Sequence, residues 1–168
     1  MSRPVLLIGV SGTTNSGKTT LAEHLQRRIP GCHIIHQDHY FLIPGDERLE
    51  YVSEVNHHNW EAYSSLDMDR MTYDVQHKKK LLAESPGSGP GILLVEGFNF
   101  FGYHPVAALM DKKYFLKVSR HVCLERRRQV SCINFTIPAL YLAESELTTQ
   151  QILQVTLIKL SGRCMRST

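Results

Sequence analysis

Eight consecutive residues constrain this chain more than any other feature: Gly12-Thr13-Thr14-Asn15-Ser16-Gly17-Lys18-Thr19 meets every fixed position of the pattern G-x-x-x-x-G-K-[ST]. Such a loop wraps a phosphate only if a strand delivers it and a helix receives it, so that backbone N–H groups and the helix dipole converge on the anion. Both flanks are present. Residues 5–10 are an apolar run suited to a buried strand, and residues 19–28 read as a helix with Leu21, Leu25 and Ile29 on one side. In that arrangement Lys18 reaches the outer phosphates and Thr19 offers a hydroxyl to Mg²⁺.

The remainder of the chain continues the alternation of strand and helix. After Pro30-Gly31, residues 32–36 (Cys-His-Ile-Ile-His) read as a second strand. Residues 92–95 (Ile-Leu-Leu-Val) and 114–118 read as a third and a fourth, with helices expected near 66–83, 105–111 and 120–128. The capping pattern at Ser64-Ser65-Leu66-Asp67 marks the start of the helix near 66–83. The expected fold is therefore α/β, a three-layer P-loop NTPase-type fold with a parallel sheet of four to five strands flanked by helices. A chain of 168 residues, 42% of them hydrophobic, holds one such domain over residues 1–168 and has no room for two.

Ligands of open α/β sheets lie beyond the carboxyl ends of the strands, and two carboxylates fall there. Asp38, just after the second strand, is placed to accept a proton from a substrate hydroxyl and to help hold Mg²⁺ through water, although a capping aspartate would occupy the same position. Glu96, at the end of the third strand, is placed to hold a metal-bound water, with an ordinary strand-terminal acid as the alternative. Tyr40 and Phe41 suit either stacking on a flat ring or filling the core. Trp60, the only tryptophan, stands beside Glu61 in a pairing suited to an aromatic base and sugar hydroxyls, or to covering the core edge. Residues 42–59 read as a surface loop near the same edge.

Charge and composition exclude several function classes. A formal charge of +3 gives no basic field of the kind nucleic acid needs. The Lys78-Lys79-Lys80 run complements the end of its own helix, and His57-His58 read as part of a solvated loop rather than a metal site. Four cysteines without a C-x-x-C pair point to reduced thiols. The first apolar run is too short for a membrane span or a secretory signal, so a cytoplasmic protein with no membrane or nucleic-acid partner, and a monomeric one, is expected.

Taken together, GTTNSGKTT at Gly12 to Thr20, His36-Gln37-Asp38-His39-Tyr40-Phe41, Trp60-Glu61 with Leu66-Asp67-Met68, and Leu94-Val95-Glu96-Gly97-Phe98 resemble the nicotinamide riboside kinases, small relatives of the uridine kinases. The likeness covers residues 5–128. It implies ATP-dependent phosphorylation of the 5′-hydroxyl of nicotinamide riboside to nicotinamide mononucleotide. It further implies that Asp38 is the base, with Lys18, Thr20 and the loop residues holding ATP, and Thr19, Asp38 and Glu96 holding Mg²⁺. Asp38, His39, Tyr40, Phe41, Trp60 and Glu61 fall on the substrate segments, while Arg127 and Arg128 match the arginines that contact phosphate and substrate. The family usually has a second acid where this chain has His39, and Tyr-Asp or Trp-Asp where it has Trp60-Glu61.

After Arg128 the likeness stops. The family's further lid arginine and its Asp-Gly and Trp-Pro segment have no counterpart in residues 129–168, where a final helix is expected near 148–160, preceded by a strand at Tyr141-Leu142. Two alternatives to nicotinamide riboside phosphorylation follow: a uridine or cytidine kinase, or a nucleotide-binding protein with little turnover because its lid is incomplete.

Overall fold

The computed structural model describes residues 2–87, 89–136 and 156–160. The apolar run at the start becomes strand β1 (Val5–Gly12), followed by helix α1 (Lys18–Arg28) and strand β2 (Cys32–His36). A small antiparallel ribbon, β3 (Tyr51–Val52) with β4 (His57–His58), interrupts the expected surface loop. Then come α2 (Met68–Glu84), β5 (Gly91–Gly97), the short α3 (His104–Ala107), β6 (Lys112–Lys117), α4 (Arg120–Thr136) and β7 (Thr156–Leu160).

The main sheet has the order β2-β5-β1-β6-β7, with the first four strands parallel and β7 antiparallel to β6 at the edge. Parallel strands need both faces covered, and the side chains of β5 show how that is done. Leu93 and Val95 join a core with Leu7, Met71, Val75, Phe100 and Val106, on the face that α2 and α3 cover. Leu94 and Ile92 turn to the other face, against Ala22, Leu25 and Ile29 of the α1 side. The buried apolar position on α1 is Ala22, one residue on from the expected Leu21, because the 22, 25, 29 spacing follows the helical period more closely.

Several element boundaries differ from the sequence reading: α3 ends at Ala107 rather than near 111, and β6 runs from Lys112 to Lys117 rather than over 114–118. Helix α2 begins after Asp67, whose own carboxylate accepts from the Arg70 N–H at 3.0 Å, so one aspartate does the capping expected of the Ser64 to Asp67 box. Helix α4 runs on to Thr136, eight residues beyond the arginine cluster where it was expected to end. At the far end, Thr156–Leu160 form a strand where the tail of a helix was expected. The open edge of β6 offers a row of unpaired backbone groups, and a five-residue stretch with β-branched Thr156 and Ile158 satisfies them. The Tyr141-Leu142 strand and the question of a lid over 137–155 lie outside the described residues. Among the described residues no helix is long and apolar enough to cross a membrane.

Leu93 is fully buried between the layers, so Leu93→Ala is expected to lower stability by about 2–5 kcal/mol, read as a lower urea midpoint at unchanged slope. The same change at Leu81, which is 46% exposed, is expected to shift stability by less than about 0.5 kcal/mol.

Candidate active site

The phosphate loop departs from β1 through Gly12, whose pairing partner on β6 is Leu116. A Cβ at Gly12 would sit 2.5 Å from the Leu116 carbonyl oxygen, so only glycine lets the chain leave the sheet there. At the other end Gly17 has φ +93° and caps α1 in the left-handed conformation. The first turn of α1 carries no acidic residue and its cap makes no side-chain hydrogen bond, which leaves the amino-terminal N–H groups open to an anion. Lys18 is buried, its ammonium donating to the Thr13 carbonyl at 3.0 Å. Burial pushes its pKa down, against the opposing pull of Glu96 and Asp38. Ser16 Oγ is buried without a partner among the described residues, a further polar group in a loop made of them.

Parallel register sets His36 of β2 directly beside Glu96 of β5. Glu96 is 2% exposed, and its Oε1 accepts from Thr19 Oγ1 at 3.2 Å and lies 2.7 Å from His36 Nδ1. That hydrogen bond raises the His36 pKa. Asp38 follows in the 3₁₀ turn Gln37–Tyr40, and its pKa is raised first by burial and then by repulsion from Glu96, with Lys18 and His36 acting the other way. A hydroxyl and two mutually repelling carboxylates are oxygen donors of the kind a hard divalent cation takes, which is the chemistry expected of Thr19, Asp38 and Glu96.

The residues expected on the substrate side divide into two groups. Phe41 packs edge-on to Trp60, with ring centroids 5.8 Å apart, and stacks on Phe98 at 6.0 Å. Trp60 also meets His57 and His58, which brings the β3–β4 ribbon to the site. Glu61 lines an open cleft of about 540 Å³ together with Thr13, Thr14, Asn15, Arg120 and Arg127. Tyr40 departs from the substrate-contact expectation: it is buried in the α2-side core and its hydroxyl donates to Asp74 at 2.9 Å, and burial first, then that bond, drives its pKa up. His39 is exposed, its ring 5.1 Å from that of His36, and Arg128 is exposed beyond the cleft that Arg127 lines.

Two residues at this site, Gln37 and Asn99, had no role in the sequence reading, and a third, Arg126, figured only as one of the arginines 126–128 that end a helix and can clamp phosphate. Gln37 is fully buried, and its amide oxygen accepts from Phe98 N–H at 2.9 Å, joining the ends of β2 and β5. Its amide nitrogen donates to Asn99 Oδ1 at 2.8 Å. Arg126 Nη1 donates to the carbonyls of Asn15 and Ser16 at 3.2 and 3.3 Å. A trans peptide points its C=O and the following N–H to opposite sides, so holding the Ser16 carbonyl toward α4 turns the Gly17 N–H away from it, toward the phosphate face. The three-arginine cluster was visible in the sequence, but which member faces the loop depends on the helix's rotation.

With the geometry described, the comparisons with known proteins are informative. A family model of the AAA domain matches residues 8–131. Nicotinamide riboside kinase 2 of Mus musculus is 38% identical over 133 residues, covering 73% of this chain and 67% of the relative. The chain belongs to the nicotinamide riboside kinase family. The Homo sapiens protein of the same name is also 38% identical, over 143 residues, covering 79% of this chain and 60% of its own length, so the chain spans about two thirds or less of these two family members. A solved structure described as a fructose transport system kinase from Silicibacter sp. TM1040 superposes with TM-score 0.51 at 16% identity, over 90% of this chain and 79% of that one, and shares the fold.

Two outcomes follow from the site. Asp38 has its folded pKa above the ordinary aspartate value of 3.8, so the fold favours its neutral form, and the stability it contributes is present below 3.8 and lost as pH rises through the raised pKa. In metal-free protein Asp38→Asn is therefore expected to melt higher than wild type at pH 7, with the gap closing as pH falls toward 3.8 in thermal scans. Arg126→Ala removes a cation's hydrogen bonds to the loop and is expected to weaken binding of a fluorescent adenine nucleotide by on the order of tenfold to a hundredfold, measured by titration.

Proposed function

We propose that the protein phosphorylates the 5′-hydroxyl of nicotinamide riboside with ATP, giving nicotinamide mononucleotide. One observation carries this reading: a phosphate loop with a buried lysine opens at the same sheet edge as Asp38, a carboxylate whose pKa is raised by burial and by Glu96. Phosphoryl transfer asks the protein mainly for positioning and for charge aimed at the transferring group. The loop amides and the α1 amino terminus hold the β- and γ-phosphates, and Lys18 supplies the cation. Asp38 orients the 5′-hydroxyl and accepts its proton, a role eased by a pKa lifted toward the working pH. Thr19, Asp38 and Glu96 would hold Mg²⁺, which would supply neutralising charge to the phosphates. Trp60, Phe41 and Glu61 hold the nucleoside, and Arg127 reaches the phosphates from the far wall of the cleft. Names of relatives and the family membership support the choice of nucleoside, and the nearness of uridine kinases makes pyrimidine nucleosides the competing substrates.

The test is ADP release with nicotinamide riboside, uridine and cytidine in turn, for wild type, Lys18→Ala and Asp38→Asn. Turnover is expected with nicotinamide riboside above the other two. Lys18→Ala is expected to abolish it, and Asp38→Asn to lower it by about 10²- to 10⁴-fold while nucleotide binding persists. Preference for uridine or cytidine would reassign the substrate. Nucleotide binding without turnover of any nucleoside would replace the kinase reading with that of a binding protein.

A further inference from the structure

Asn99 lies at the tip of β5, on the wall of the cleft that Glu61 also lines. It bridges two parts of the molecule that do not otherwise share a strand: its Oδ1 accepts from Gln37 Nε2 at 2.8 Å, and its Nδ2 donates to the Glu61 carbonyl at 3.1 Å. Its own carbonyl accepts from the Tyr63 hydroxyl at 2.8 Å.

The orientation of both amides follows from chemistry. Gln37 faces the Phe98 N–H, a donor, so its oxygen must sit there and its nitrogen must point to Asn99. Asn99 must answer with oxygen, which leaves its nitrogen for the Glu61 carbonyl, an acceptor. The result is a one-directional run of hydrogen bonds from the backbone of Phe98, just past β5, through a fully buried glutamine, to the loop that carries Trp60 and Glu61. Bonds in such a run polarise and reinforce one another. Gln37 is the residue immediately before Asp38, so the same run fixes the nucleoside-side loop relative to the base.

We propose that Asn99 is a positioning residue that sets the Trp60-Glu61 segment against Asp38 and thereby determines how the nucleoside is held. It acts through the Glu61 backbone and Tyr63, without touching the reacting atoms. The proposal rests on the nucleoside-kinase reading for its substrate, while the clasp itself is testable without turnover. Leucine at this position cannot span from Gln37 to the Glu61 carbonyl. Aspartate keeps the acceptor for Gln37 but loses the donor for Glu61, and so separates the two halves of the run.

The experiment uses Asn99→Asp, Asn99→Leu and Tyr63→Phe in the full chain, with melting curves to establish folding. The only tryptophan of the chain is Trp60, so its emission and acrylamide quenching report on this segment alone. Both Asn99 variants are expected to show increased quenching. They are also expected to show a nicotinamide riboside KM raised on the order of tenfold to a hundredfold at nearly constant MgATP KM, the cost of misplacing a substrate by about an ångström. Tyr63→Phe, which leaves the buried glutamine fully paired, is expected to move the same readouts in the same direction by a smaller factor. Unchanged quenching and unchanged nucleoside KM in folded Asn99→Asp would overturn the proposal, as would equal rises in both KM values. If wild type phosphorylates no nucleoside, the kinase reading fails and quenching alone decides on the clasp.

Discussion

A carboxylate buried to 2% exposure must be surrounded by donors, and Glu96 meets that demand with residues from two other elements. Thr19 comes from α1 and His36 from β2, and both converge on one carboxylate oxygen at the end of β5. The parallel register of β1 with β5 and of β5 with β2 makes this meeting unavoidable, since it ends all three strands at one level. The phosphate loop, Asp38 and Glu96 are neighbours because the strands that carry them stop together. The repulsion that Glu96 imposes on Asp38 is a consequence of the same crowding.

Much of this was legible in the residues, because the phosphate loop allows so few alternatives. A strand, two glycines, a lysine and a helix have to occur in that order, and the apolar runs of the adjacent central strands β1 and β5 lack the polar alternation of a solvated sheet. Asp38 and Glu96 could be singled out because the ends of parallel strands are where chemistry collects. The remaining features depend on tertiary geometry. Arg126 faces the loop while Arg127 lines the cleft and Arg128 is exposed, and each step along a helix turns a side chain by about 100°, so the cluster carries no marker of which member points where. Gln37 and Asn99 are 62 positions apart, and nothing local to either predicts the bond between them. Thr156–Leu160 has a pattern compatible with helix or strand, and the open edge of β6 decided it.

The substrate side illustrates how one short segment serves two purposes. In His36 to Phe41, residues alternate between site and core within a single turn of 3₁₀ helix: Asp38 faces the edge, Tyr40 is locked to Asp74, and Phe41 returns to the aromatic group around Trp60. Anchoring Tyr40 in the core holds the turn still, so that Asp38 keeps its place although its own environment disfavours its charge. Tyr40 thus serves the site by being unavailable to the ligand.

The bonds from Arg126 to the loop carbonyls have a thermodynamic consequence that reaches beyond the phosphate itself. Linkage between two sites is reciprocal: if the hold of α4 on the loop sharpens phosphate binding by some factor, a bound phosphate must tighten the seating of α4 by the same factor. The helix is thereby made a reporter of nucleotide occupancy. On that linkage, α4 is seated more firmly when the loop is filled than when it is empty.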